Sequence, residues 1–187
     1  MKAVKVLLIG ALLLQASPAI AAAQNWYLGA HLGQALLSGD SSDRVDDGIS
    51  WGIFGGYRVN RNVCLDAALF YSSHDDEVED PGAYTINMLS FTFGPQFSTM
   101  VGRYVELYAG GGFGIYAIDF TYEPEGEPGT PRDETDGESG IYGCAGMNFS
   151  LTKNMYLGFD VRYHHVFEDE VFDGDMITMM VRLGFDL

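Results

Sequence analysis

Cysteines, basic residues and long apolar runs are all scarce in this sequence. It has two cysteines among 187 residues, so at most one disulfide bond can form within the chain. Its ten lysines and arginines are outnumbered by 26 aspartates and glutamates, which gives a formal charge of −16. Such a surface repels anions, so we expect no nucleic-acid partner. In residues 24–187 no apolar run reaches the roughly 20 residues of a transmembrane helix.

The one pronounced apolar run lies at the start of the chain. Two lysines precede the apolar segment Val6–Leu14, and three alanines, Ala21–Ala23, follow it. This run is too short to cross a membrane, and its order of charged, apolar and small residues is typical of a secretory signal peptide. We therefore expect residues 1–23 to be removed on export and residues 24–187 to form a single domain.

The rest of the chain contains eight segments in which apolar residues alternate with small or polar ones. In Met155–His164, for example, every second residue is apolar, while the residues between them include Asp160 and Arg162. A period of two predicts β strands. The predicted strands are Trp26–Leu32, Ile49–Val59, Val63–Ser72, Tyr84–Phe97, Val105–Ile118, Ile141–Leu151, Met155–His164 and Ile177–Leu187.

The charged residues of these strands share one face with glycines and tyrosines, and the aliphatic face carries no charge. A soluble barrel has the opposite arrangement, with its charges toward solvent. An apolar outer face and a polar interior are typical of a transmembrane barrel. We predict an all-β fold, an eight-stranded antiparallel up-and-down transmembrane β-barrel. The alternative, with the two faces exchanged, is a soluble ligand-binding barrel.

The fourth predicted strand departs from the simple alternation. Tyr84, Ile86 and Met88 share one parity, whereas Leu89 and Phe91 begin an apolar series of the other parity. Two explanations are open at this point: a β-bulge, or a strand end that stands above the membrane.

The connections between the strands alternate in length, which predicts the orientation. Short turns are expected near Asn60-Arg61, Met100–Gly102 and Lys153-Asn154, and long loops at Leu37–Gly48, Ser73–Ala83, Thr121–Ser139 and Phe167–Gly174. In outer-membrane barrels short turns face the periplasm and long loops face outside. Both ends of the domain then lie on the periplasmic side.

Three segments resemble small eight-stranded outer-membrane barrels of the OmpA/OmpX-like family. They are Trp26–Ala30, which opens the first strand, Gly55–Arg58, which closes the second, and Val181–Leu187 in the last. The resemblance covers residues 24–187 and is one of pattern. It implies a location in the outer membrane of a Gram-negative bacterium. We also expect a monomer without a cofactor.

Six charged residues of the predicted strands point toward the barrel interior: Arg58, Asp66, Glu106, Asp160, Arg162 and Arg182. Charges in a narrow lumen are costly unless they are paired. We therefore predict an ion-pair network that supports the barrel and blocks its lumen. A hairpin centred near residue 171 would place Asp160 opposite Arg182. Arg58 and Glu106 would lie near the periplasmic end, with Asp66 within diagonal reach of Arg58. The alternative is an ion-selective pathway.

Acidic residues are concentrated on the long loops, which carry or border 21 of the 26. Two explanations are open: a solvated, repulsive outer surface, or diffuse binding of Ca²⁺ or Mg²⁺ that bridges to lipopolysaccharide. The residues considered for diffuse cation binding are Asp133, Glu134, Asp136, Glu138, Glu168, Asp169, Glu170 and Asp173. Their spacing matches no EF-hand, so no specific metal site is predicted.

The two cysteines, Cys64 and Cys144, both have inward parity but lie at different heights on non-adjacent strands. A disulfide bond needs Cα atoms within about 7 Å, so two buried free thiols are expected instead.

One segment resembles part of a catalytic site. Tyr163-His164-His165 precedes Glu168-Asp169-Glu170, and a histidine beside a carboxylate is the base and its orienting group in a triad. It vaguely resembles the rim histidine of lipid A deacylase barrels, but no serine or threonine lies in Tyr163–Asp175. By parity His164 points into the upper lumen and His165 toward lipid. We expect a non-catalytic structural or surface protein; the alternatives are a small porin-like channel and, third, a lipid A-modifying hydrolase.

Overall fold

A computed structural model describes residues 25–38, 47–75, 82–124, 132–167 and 175–187. It contains eight strands: β1 (Trp26–Ser38), β2 (Gly48–Arg58), β3 (Val63–Asp75), β4 (Gly82–Val101), β5 (Val105–Pro124), β6 (Arg132–Ser150), β7 (Met155–Val166) and β8 (Asp175–Asp186). Each strand pairs antiparallel with its neighbours in sequence, and β8 pairs with β1 to close a barrel. The predicted eight-stranded up-and-down barrel is confirmed. The predicted signal peptide, residues 1–23, lies outside the described residues.

Paired residues climb the barrel by ten positions in one circuit. The path runs from Leu28 through Gly55, Ala67, Phe93, Phe113, Ile141, His165 and Asp175 and returns to β1 at Ser38. This stagger tilts the strands, and with eight strands it leaves an interior just wide enough for side chains to fill.

Alternate residues face outward and inward along the strands, as the sequence pattern predicts. Leu32 is 61% exposed on the outer face, and its neighbour His31 is buried inside. On β5 the outward Phe113 is 74% exposed, while Tyr116 is fully buried. The outer face is therefore a continuous apolar surface suited to lipid.

In the part of the chain that the structure describes, no helix is long and apolar enough to cross a membrane.

Strands β4, β5 and β6 extend beyond the segments predicted from the sequence. β5 continues to Pro124 and β6 begins at Arg132, so much of the predicted loop Thr121–Ser139 is paired strand. The predicted loop Ser73–Ala83 likewise contains the ends of β3 and β4. The alternation of apolar residues did not predict where these strands end, because backbone hydrogen bonding between strands continues where no apolar face is required.

The parity change in β4 is not a bulge. The pairing of β3 with β4 keeps a one-to-one register from Val63↔Phe97 to Asp75↔Thr85. Ile86 and Met88 instead point into the barrel and are buried there. The irregularity in the sequence therefore marks a change in the lumen, which is apolar toward this end.

The three short turns occupy residues 59–62, 102–104 and 151–154. The second is displaced from its predicted position, because β4 continues to Val101 and Gly102 adopts a positive φ of 75°. The two ends of the barrel meet on this side, where Leu187 N donates to Trp26 O at 2.9 Å.

Candidate functional site

The charged residues of the lumen form two clusters, and the first lies near the turns. Arg58 Nη1 is 3.2 Å from Glu106 Oε1, and its Nη2 is 3.1 Å from Asp186 Oδ1. Asn148 Nδ2 donates to Glu106 Oε2 at 3.0 Å. The Arg58 and Asp186 side chains are partly exposed, so solvent weakens this periplasmic cluster (Arg58, Glu106, Asp186).

The second cluster is centred on Arg162 and is almost completely buried. Arg162 Nε is 2.6 Å from Asp160 Oδ1, and Nη2 is 3.1 Å from Asp66 Oδ1. Its Nη1 donates to Thr92 Oγ1 at 3.1 Å. The Arg162 side chain is 1% exposed, and it joins β3, β4 and β7 across the interior.

Arg182 completes this central cluster (Asp66, Asp160, Arg162, Arg182) from β8. Its Nη1 lies 3.6 Å from Asp160 Oδ2 and donates to Tyr108 Oη at 2.9 Å. Tyr108 Oη donates in turn to Asp160 Oδ2 at 2.6 Å. The guanidinium carbon stands 3.8 Å from the centroid of the Phe54 ring, a cation–π position.

The central cluster has two positive and two negative groups, so its formal charge is zero. A buried ion pair is stable only when hydrogen bonds satisfy the remaining charged oxygens. Here Tyr27 Oη donates a hydrogen bond to Asp66 Oδ2 at 3.0 Å, and Tyr108 Oη donates one to Asp160 Oδ2 at 2.6 Å. With the hydrogen bonds of Tyr27, Thr92 and Tyr108, the arrangement links β1, β3, β4, β5, β7 and β8 and fills the middle of the lumen.

The structure brings all six predicted charged residues into contact with opposite charges, and Arg182 contacts Asp160 as predicted, but the two are not directly opposite each other. Asp160 pairs in the β7–β8 ladder with Met180, and Arg182 pairs with Gly158. The hairpin is therefore centred near residue 170, and Arg182 reaches Asp160 diagonally. Asp66 is the diagonal neighbour of Arg58, as predicted, because Arg58 pairs with Cys64, but its ion pair is with Arg162. Parity predicts a side chain's face but not the register of a strand, which depends on the turn.

Asp186, a member of the periplasmic cluster, was not predicted from the sequence. Its parity in the last strand is inward, which was the available signal, and it takes the second position beside Arg58.

Above the central cluster the lumen is aromatic and then apolar. His164 Nδ1 lies 3.0 Å from Tyr116 Oη, and its ring contacts the rings of Phe70 and Tyr142. Tyr116 lies across Gly140, where a methyl group would touch its ring. Beyond these rings the buried apolar side chains are Leu37, Ile86, Met88, Ile118, Val166 and Met176, and the buried His74 pairs with Ile86 at the same end.

His165 faces outward at the rim and has a carboxylate partner. Its Nδ1 lies 2.7 Å from Asp175 Oδ1, and Tyr163 Oη donates to the other oxygen of Asp175. The partner expected from the sequence was Glu168-Asp169-Glu170, which lies outside the described residues. The antiparallel pairing of β7 with β8, which places His165 opposite Asp175, was not anticipated.

Both cysteines are free and buried, as predicted. The thiol of Cys64 lies 3.4 Å from Gln96 Oε1 and 3.5 Å from Tyr27 Oη.

The residues considered for diffuse cation binding are only partly described. The backbone of Asp133, Glu134 and Asp136 belongs to β6, and the half-buried Glu138 lies on the same strand. Glu168, Asp169, Glu170 and Asp173 fall outside the described ranges. Within those ranges no group of three or more His, Cys, Asp or Glu residues is arranged to hold a metal ion.

Comparison with known proteins identifies similar barrels. The family described as "Outer membrane protein beta-barrel domain" matches residues 6–185. Comparison with curated proteins gives no match. Neisserial surface protein A (NspA) has a TM-score of 0.66 and 16% identity, covering 87% of this chain and 97% of that chain. The attachment invasion locus protein Ail of Yersinia pestis has a TM-score of 0.54 and 17% identity, covering 86% of this chain and 98% of that chain. The N-terminal β-barrel domain of Pseudomonas aeruginosa OprF has a TM-score of 0.52 and 16% identity, covering 87% of this chain and 97% of that chain. Identities this low indicate a shared fold.

Proposed function

Because the chain belongs to the outer membrane protein β-barrel domain family and lies in the outer membrane of a Gram-negative bacterium, we propose that it is a non-catalytic surface protein acting through its acidic extracellular loops. The observation that carries this proposal is the filled lumen. A barrel whose interior is occupied by paired charges and rings offers its outer connections, rather than its interior, for contact with partners.

The central cluster supports a closed rather than a conducting lumen. Arg162 and Arg182 are 1% and 2% exposed, and Asp66 and Asp160 are as deeply buried. An ion passing this level would have to break pairs that are shielded from water, where lone charges are costly. A small porin-like channel is therefore the less favoured function.

Charge placement supports activity at the outer face. The connections between β1 and β2, β3 and β4, β5 and β6, and β7 and β8 carry most of the acidic residues of the sequence. The opposite turns carry Arg61, Arg103 and Lys153. Carboxylates near the lipopolysaccharide surface would attract Ca²⁺ and Mg²⁺, which also bind its anionic groups. In this proposal the protein is a monomer that strengthens the envelope through shared divalent cations.

The proposal is tested in a strain lacking the gene, by measuring detergent sensitivity after complementation. One variant replaces Glu168, Asp169, Glu170 and Asp173 by the corresponding amides. A matched control replaces Arg61, Arg103 and Lys153 by glutamine on the other face. We expect the amide variant to lose protection and the control to keep it, both in medium containing Mg²⁺. Full protection by the amide variant would contradict the role of the loops.

Single-channel recording in a planar bilayer separates the proposal from the channel alternative. The purified chain should give no steady conductance steps. Regular steps of fixed size would instead assign the function to the lumen.

A second candidate, a lipid-modifying hydrolase, is favoured by one observation, the contact between His165 and Asp175 at the outer rim. A carboxylate can orient a histidine to act as a base. Expression of the chain with and without His165→Ala, followed by mass spectrometry of lipid A, tests this candidate. A mass change that depends on His165 would replace the non-catalytic proposal.

A further inference from the structure

The three short turns of the barrel share one arrangement of apolar and basic residues. At each turn an exposed apolar residue stands two positions before an exposed cation: Val59 before Arg61, Val101 before Arg103, and Leu151 before Lys153. Each of these apolar side chains is more than half exposed. Residues 59–62, 102–104 and 151–154 include no aspartate or glutamate. The periplasmic end of the barrel therefore presents three exposed cations, each beside an apolar group.

An outward phenylalanine completes each of these groups. The residue two positions after each cation pairs with a phenylalanine of the next strand, in the pairs Val63↔Phe97, Val105↔Phe149 and Met155↔Phe185. All three phenylalanines are exposed on the outer face. Exposed aromatic rings at strand ends mark the level of the lipid head groups. The three groups, called the turn sites below, are Val59/Arg61/Phe97, Val101/Arg103/Phe149 and Leu151/Lys153/Phe185.

Hydrogen bonds hold the backbone of each turn in place. In every turn one carbonyl oxygen accepts a hydrogen bond from a backbone N–H of the next strand. The donors and acceptors are Ser98 N and Asn62 O at 2.9 Å, Ser150 N and Tyr104 O at 2.8 Å, and Asp186 N and Asn154 O at 2.9 Å. Because the backbone is fixed before any ligand arrives, binding at a turn site costs little ordering entropy.

The three turn cations have no ion-pair partner among the residues that the structure describes. The carboxylates of the periplasmic cluster, Glu106 and Asp186, both contact Arg58 instead. That cluster retains one negative formal charge, whereas the turns carry three positive charges. The described side chains at this end therefore have a net positive charge, opposite in sign to the long connections, and they attract anions.

The combination of groups at a turn site selects the class of partner. A cation at head-group depth with apolar groups on both sides matches a molecule that joins a phosphate to acyl chains. A soluble anion would make no use of the apolar side chains, and a zwitterionic head group has no net charge. Affinity for a lipid surface grows with the apolar area that is buried and with the attraction between basic residues and anionic lipids.

We propose that each turn site binds the head group of an anionic phospholipid, such as phosphatidylglycerol, in the periplasmic leaflet of the membrane. The phosphate contacts the cation of the turn, and the acyl chains pack against the apolar residue before it and the phenylalanine of the next strand. The turn sites lie at the opposite end of the barrel from the acidic loops. This inference is therefore independent of the function proposed above, and the failure of either leaves the other standing.

The first test measures the folding equilibrium constant of the full chain by urea titration in two kinds of vesicle. One kind contains phosphatidylcholine alone, and the other also contains phosphatidylglycerol. In the second kind Arg61→Gln/Arg103→Gln should lower the constant by about fivefold for each arginine, the effect of one basic residue beside an anionic surface. In phosphatidylcholine alone the loss should be no more than about twofold, as for an ordinary surface substitution.

Two further variants separate contact at the turns from net charge. Arg44→Gln/Arg132→Gln removes the same two charges from the long connections, and it should show no added loss in phosphatidylglycerol. Arg61→Lys/Arg103→Lys keeps both charges and should retain most of the wild-type constant. Equal losses for the two glutamine variants, or a loss that is the same in both kinds of vesicle, would overturn the proposal.

The second test detects the bound lipid without measuring stability. Electron spin resonance of spin-labelled phosphatidylglycerol gives the fraction of the label whose motion is restricted by the folded barrel. That fraction should fall in Arg61→Gln/Arg103→Gln, remain unchanged in Arg44→Gln/Arg132→Gln, and fall in the wild-type chain at high salt. An equal fraction in all three chains would overturn the proposal. Sedimentation with purified peptidoglycan that depends on Arg61 and Arg103, without any effect on the lipid, would overturn it by assigning the turns to a different partner.

Discussion

Replacing Arg162 by methionine removes the central ion pairs while keeping a long side chain in the lumen. The substitution deletes the contacts at 2.6 Å to Asp160 and at 3.1 Å to Asp66. Asp160 keeps Arg182 and Tyr108, but among the described residues Asp66 keeps only the Tyr27 hydroxyl as a polar contact. Breaking a buried pair by removing one partner costs about 3–5 kcal/mol, because a buried charge is left uncompensated. We expect a loss of that size in the free energy of unfolding.

A second substitution shows whether the stranded charge causes the loss. Asp66→Asn in the Arg162→Met background removes the uncompensated carboxylate and keeps a polar group for Tyr27. We therefore expect the double variant to recover about 1–3 kcal/mol relative to Arg162→Met alone, the typical cost of one unsatisfied buried group. As a control, Arg58→Met should cost no more than about 1 kcal/mol, because its cluster is partly exposed.

The assay is a reversible urea titration in phospholipid vesicles, followed by tryptophan fluorescence. Trp26 and Trp51 are exposed on the outer face, near opposite ends of the barrel, so their emission reports contact with lipid. Gel mobility with and without boiling is an independent measure of the closed barrel. A loss below about 0.5 kcal/mol for Arg162→Met, the usual effect of a surface substitution, would refute the reasoning. Additive losses in the double variant would refute it as well.

Four further predictions follow from the same structure. Arg182→Ala should lower the unfolding temperature, because Asp160 loses a charged neighbour; an unchanged melting profile would contradict this. Gly184→Ala should destabilise the barrel by about 1–3 kcal/mol, since the added methyl group would overlap the Tyr156 ring. Gly143→Ala should not, because the space around Gly143 is open, and urea titration compares the two variants. Cys64 and Cys144 should react with a maleimide only after unfolding, as measured by mass spectrometry; rapid labelling of the folded barrel would contradict their burial. Sucrose octasulfate, with which Ail has been crystallised, should not bind, because the loops here are acidic, and calorimetry would reveal any binding.

The sequence predicted the face of almost every side chain but only some of the contacts between side chains. Lipid requires an apolar outer surface, so the alternation is strict wherever a strand crosses the membrane. The alternation does not define the register between two strands, since a shift of one strand by two residues leaves every side chain on the same face. The predicted register of Asp160 and Arg182 was wrong by two residues, although the two side chains still make contact diagonally. Asp175, the partner of His165, was missed for a related reason, because it depends on the same register.

Strand ends were the least predictable part of the fold. Beyond the apolar band nothing forces an alternation, so the outer parts of β5 and β6 read as a loop, although their backbones pair. The orientation of Met88 could not be predicted, because this part of the lumen is also apolar and the inward and outward faces of β4 therefore look alike in the sequence.

The position of Arg162 bears on how the barrel assembles. Its carboxylate partner Asp66 is 96 residues away in sequence, and the two strands that carry them, β3 and β7, face each other across the lumen only when the sheet curls and closes. An open, half-inserted sheet would expose an arginine and two aspartates to the bilayer interior, where lone charges are expensive. A closed barrel hides all of them at once. The cluster therefore penalises every partly assembled form far more than the finished one, and it makes closure an all-or-none event.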